Sequence, residues 1–71
     1  MQWWSIRRWD GQPNNKVYLE ANSDQQALEL MLKITCNFRK IIQHYPLQGD
    51  SGREFLIQDG YRFFVKAESP V

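Results

Sequence analysis

A chain of 71 residues supports one domain with a single thin core, which excludes a multi-domain architecture. Its 42% hydrophobic and 14% aromatic content makes a compact fold the expectation at this size. Nine basic against eight acidic residues leave a formal net charge of +1, which excludes a histone-like polycation while allowing a local basic patch.

Residues 2–9 alternate weakly and are expected to form a first strand, with Trp4 and Ile6 on one side and Trp3, Ser5, Arg7 and Trp9 on the other. Both sides carry tryptophan, so alternation alone does not select the inner one. Asp10-Gly11 and Gln12-Pro13-Asn14-Asn15 read as a turn-rich connection. Residues 16–21 form a second strand, with Val17, Leu19 and Ala21 opposed to Lys16, Tyr18 and Glu20, and the two strands are expected to pair as a hairpin.

Ser23 has the chemistry of a helix N-cap, and Gln26 three residues on completes a capping box. Ala27, Leu28, Met31, Ile34, Thr35, Phe38, Ile41, Ile42 and Tyr45 recur at helical spacing, flanked by Leu30 and Leu32. The spacing predicts a helix over 24–45, about 33 Å long, ended by Pro46. Cys36 reads as a small buried residue of that helix. Residues 48–52 form a polar loop, and residues 54–58 a third strand with Phe55 and Ile57 opposed to Leu56. Asp59-Gly60 predicts a two-residue type I′ turn with positive φ at both central positions. Residues 61–67 form the fourth strand, with Tyr61, Phe63 and Val65 opposed to Arg62, Phe64 and Lys66.

The expected fold is α+β in the order ββαββ: two antiparallel hairpins in one sheet, one long helix across one face, and a single small domain over 1–71. Filling that core leaves Leu30, Leu32, Leu56 and Phe64 partly exposed, a surplus that argues for a partner surface or a homodimer.

All the tryptophans lie beside two arginines at the start of the chain: Trp3, Trp4, Arg7, Arg8 and Trp9. A domain this small has little interior in which to bury an indole. With Trp4 and Ile6 packed on the helix, Trp3, Arg7 and Trp9 share the opposite face and Arg8 must escape at the sheet edge. In the other register Arg7 is the awkward one. In either register indoles beside a guanidinium lie near solvent, where they suit anchoring a protein partner or stacking single-stranded nucleic acid. The alternative is that all three rings stabilise the small fold, with arginine stems packed over them. Arg62, Phe64 and Lys66, with Arg53 and Arg7 or Arg8, extend a basic face dotted with rings, the interleaving an RNA-binding sheet uses. Glu20, Glu54 and Asp59 dilute its field, and the second helix and glycine-aromatic run of an RNA-recognition domain are absent from the sequence.

Other residues carry little chemistry. Lys33 and Lys40 line one ridge of the expected helix, but no turn-helix partner precedes it as a DNA-reading helix requires. His44, expected late in that helix, has no adjacent nucleophile, since Cys36 lies about 12 Å away along the axis. The carboxylates are scattered, and Gly49-Asp50-Ser51-Gly52 lacks the lysine and the strand-to-helix context of a phosphate loop. A lone cysteine permits neither an intramolecular disulfide nor a cysteine metal cluster and suits a reducing compartment. MQWWSIRRW lacks the apolar run of a signal peptide, and no stretch reaches the roughly eighteen apolar residues of a membrane span. The chain is expected to be a complete small cytoplasmic product of the kind that bacterial, phage and plasmid genomes carry. Its expected function is that of a noncatalytic protein-interaction or regulatory module without cofactor or metal, binding through Trp3, Arg7, Arg8, Trp9, Arg62 and Phe64 on a sheet face or strand edge. Single-stranded nucleic-acid binding and a structural homodimeric subunit are the alternatives; no membrane association is expected.

Overall fold

The computed structural model describes residues 1–11, 15–35, 40–47 and 52–68. Among these, five strands and one helix follow the order β1 (Gln2–Arg8), β2 (Val17–Ala21), α1 (Asp24–Ile34), β3 (Ile41–Pro46), β4 (Gly52–Ile57) and β5 (Arg62–Glu68). The strands form one antiparallel sheet in the order β2-β1-β5-β4-β3, so the first and last strands pair at its centre. The fold is a small α+β fold as expected, but its order is ββαβββ rather than ββαββ.

The additional strand comes from the second half of the expected helix. Ser23 caps α1, its Oγ accepting from the Gln26 N–H at 3.1 Å. Gln26 reaches back one residue further than in a capping box, its Oε1 accepting from the Asn22 N–H at 2.6 Å. At the other end Thr35 turns its hydroxyl back on the Met31 and Leu32 carbonyls, at 3.1 and 3.3 Å, and the helix stops there. Such back-bonding by a β-branched residue slightly destabilises a helix. Ile41, Ile42 and Tyr45 then serve a strand, which β-branched and aromatic side chains favour. Ile42 is the extra residue of a β-bulge, because Ile41 pairs with Ile57 and Gln43 already with Leu56. Pro46 is tolerated because β3 is an edge strand. The Lys33–Lys40 ridge therefore does not exist, and His44 lies on a strand. Cys36, Phe38 and Arg39, expected in the helix, and residues 48–51 of the expected loop lie outside the described residues.

The β4–β5 turn also differs from expectation. The Gly60 N–H bonds to the Ile57 carbonyl at 3.0 Å, and the Ile57 N–H to the Tyr61 carbonyl at 2.9 Å. This is a three-residue loop closed by Gly60 at φ +94°, the pattern of a type I turn followed by a glycine bulge.

Ala27, Leu28, Met31 and Leu32 of α1 join Ile6, Ala21, Phe55, Ile57, Phe63 and Val65 in one buried cluster. Leu32 is thus core rather than surplus, while Ile34, expected in the stripe, is 68% exposed in the helix's last turn. Trp4, Leu19 and Ile41 pack against the rim of the cluster, and the Trp4 indole N–H donates to the Ala21 carbonyl at 3.0 Å. This selects the register of β1: Trp4 and Ile6 face the helix, and Trp3, Ser5 and Arg7 face away.

Candidate binding face

The sheet face opposite the helix is covered by no second layer among the described residues. Cross-strand partners share a face in an antiparallel sheet, so the register orders this surface into transverse rows. One row is Glu20, Trp3 and Glu68; the next is Tyr18, Ser5, Lys66 and Gly52. The third is Arg7, Phe64, Glu54 and Tyr45, and the last holds Arg62, Leu56 and Gln43.

At the centre the Arg7 guanidinium stacks on the Phe64 ring, 5.1 Å from its centroid, and Arg7 Nη1 donates to the Gly11 carbonyl at 3.3 Å. These two restraints hold a charged group in place over the sheet. Beside it lies a depression of about 230 Å³ lined by Ser5, Arg7, Lys16, Phe64 and Lys66. Ser5 is its floor, 3% exposed, and the one buried polar residue in this part of the sheet.

Of the residues singled out in the sequence, Trp3, Arg7, Phe64 and Arg62 share this open face; Arg7 and Phe64 are cross-strand partners, while Trp3 and Arg62 lie in its first and last rows. Trp9 follows β1 in a turn, its N–H bonded to the Arg62 carbonyl at 3.0 Å and its side chain 54% exposed. Arg8 stands apart. It pairs with Phe63, whose side chain belongs to the core, so it points to the helix side at the end of the sheet. There its guanidinium pairs with Asp10 and stacks 4.8 Å over the Tyr61 ring. Arg8 thus escapes at the end of β1, an interior strand, rather than at the sheet edge expected from the sequence.

Lys16, Ser5 and Lys66 were not combined from sequence, because the cross-strand register that joins them is not visible in a linear chain. A second polar group was also missed. Arg53 Nε lies 3.3 Å from Asp24 Oδ2, and Arg53 Nη1 lies 3.2 Å from His44 Nδ1, where arginine can only donate. The His44 ring rests near Phe55, with centroids 5.9 Å apart. This group ties the start of α1 to β4 and β3 on the helix side, away from the open face.

Among the described residues, no group of three or more His, Cys, Asp or Glu side chains is placed to hold a metal ion. Nor is any helix among them long and apolar enough to cross a membrane. Compared with known proteins, the chain matches no family model, no curated protein and no solved structure.

Proposed function

We propose that this protein is a noncatalytic binding module that engages a protein partner through its open sheet face. The observation that carries the reading is the Arg7–Phe64 stack on a ring-bearing sheet face that no second layer covers among the described residues. Arginine and large aromatic side chains give wide contact area for little loss of side-chain entropy, and they dominate the energetics of protein interfaces. Trp3, Tyr18 and Tyr45 lie on the same face, with Tyr18 55% and Tyr45 49% exposed. The charge of the face is mixed: Arg7, Lys16, Arg62 and Lys66 against Glu20, Glu54 and Glu68. Interspersed charge of both signs supports recognition of a folded surface over a bare polyanion, which would meet three carboxylates on the same sheet.

The test is capture of the partner by the folded protein and its variants. Tyr18→Ala, exposed on the open face, and Arg7→Gln are expected to weaken binding about tenfold each, the scale of an interface anchor, with the unfolding midpoint little changed. Gln25→Ala, on the outer side of α1, is expected to leave binding unchanged. Equal binding by all three variants overturns the reading. So does capture that collapses with modest salt and is competed by a single-stranded oligonucleotide, which moves the protein to the nucleic-acid class.

A further inference from the structure

From the depression beside the Arg7–Phe64 stack, we infer that the open face receives a phosphoryl group carried on a side chain of the protein partner. The inference rests on the protein-binding reading above and adds the chemistry of what the partner presents. Two of the lining residues, Arg7 and Lys16, are the cations on which the site rests; Lys66 also lines it but already has a partner of its own. The floor is the Ser5 hydroxyl, able to donate to an anion. Arg7 is already fixed by the Phe64 ring and the Gly11 carbonyl, so little freedom is lost when its fork meets oxygen atoms. A phosphomonoester brings a charge of about −1.5 to −2 and three acceptor oxygens, which matches this donor set better than a carboxylate's single charge and two oxygens.

The size and surroundings of the site decide what carries the group. At about 230 Å³ the depression lies below the roughly 300–1,000 Å³ that encloses a whole small molecule, so it takes one group of something larger. Carboxylates border it. Glu20 and Glu68 flank Trp3 in the row next to Ser5, and Glu54 is the cross-strand partner of Phe64. A nucleic-acid strand would lay its next phosphates on these groups at a cost in repulsion. A single phosphate on an otherwise neutral or basic polypeptide meets the cations and leaves the glutamates to its flanking residues.

Amide chemical shifts of the ¹⁵N-labelled full chain test this. The probes are a neutral pentapeptide bearing one phosphoserine, its unphosphorylated twin, inorganic phosphate and a short oligothymidylate. The phosphopeptide and inorganic phosphate are expected to move the amides of Ser5, Arg7, Lys16, Phe64 and Lys66 saturably and in competition, and the twin is expected to leave them still. Lys16 is exposed and precedes β2, so Lys16→Glu keeps the fold; it is expected to weaken phosphopeptide binding about tenfold or more. Lys33→Glu, the same charge change on α1, is expected to alter it less than about twofold. Shifts that fail to saturate at these amides, or equal losses in both variants, overturn the inference. If the phosphopeptide is silent while Arg7→Gln still loses the captured partner, the phosphoryl assignment alone falls. Tighter, steeply salt-dependent binding of the oligothymidylate overturns both it and the protein-partner reading.

Discussion

Gly60 takes a φ of +94° in the turn between β4 and β5, and a Cβ built there meets nothing within 4 Å. The cost of Gly60→Ala is therefore one of backbone conformation alone, about 1–2 kcal/mol. Gly60→Asn is expected to cost less, since asparagine tolerates the left-handed region. Gly52 poses a different problem. A Cβ there lies 2.1 Å from the Val65 carbonyl oxygen, a backbone atom that cannot swing aside. Gly52→Ala must part β4 from β5 locally, and is expected to cost about 3 kcal/mol and in any case more than Gly60→Ala. Urea unfolding checks the ranking through the shift in midpoint at unchanged slope. At this scale part of the candidate site was legible. Alternation along one strand put Trp3 with Arg7 and, along another, Arg62 with Phe64. The pairing of Arg7 with Phe64, and the entry of Lys16 and Ser5 beside Lys66, depend on which residues face each other across β2, β1 and β5. That register is tertiary information.

α1 and β3 show where a pattern in the sequence serves two periods. Thr35, Phe38, Ile41, Ile42 and Tyr45 fall at helical spacing, and nothing in the spacing marks the end of the helix. In the structure it ends at Thr35, whose hydroxyl bonds back to the Met31 and Leu32 carbonyls. The start of the helix was legible because the Ser23 cap is local chemistry, and the β1–β2 pairing was legible because its alternation is local too. In β3, by contrast, a bulge breaks the alternation at Ile42 and edge exposure removes the apolar bias that marks a buried strand. This gives a sharp contrast between neighbouring elements. Ile42 is 56% exposed at the bulge, so Ile42→Lys is expected to change stability by about 0.5 kcal/mol or less. Leu28 is fully buried on α1, so Leu28→Ala is expected to cost about 2–5 kcal/mol. Thermal unfolding of the two variants measures the contrast; a large loss from Ile42→Lys would place that residue in a buried stripe instead.

Across the whole molecule, the strand order makes β1 and β5 the centre of the sheet and leaves β2 and β3 at its edges. Backbone bonds of β1 and β5 are flanked by strands on both sides, and Gln2 Nε2 donates to the Glu68 carbonyl at 2.7 Å where their ends meet. Amide exchange is therefore expected to be slowest in β1, β5 and β4, which also lies between two strands, and fastest in β3, whose residues are nearly all exposed. The same order builds the open face, because the rows that carry Trp3, Arg7 and Phe64 run across its central strands. Site-specific photo-crosslinking tests the binding role proposed for that face. A benzophenone side chain is placed at Tyr18, exposed on the open face, or at Gln25, exposed on α1, in the cells that make the protein. One discrete protein adduct is expected from position 18, disappearing with Arg7→Gln, and none from position 25. An adduct from position 25 alone, or one from position 18 that is indifferent to Arg7→Gln, would contradict that role.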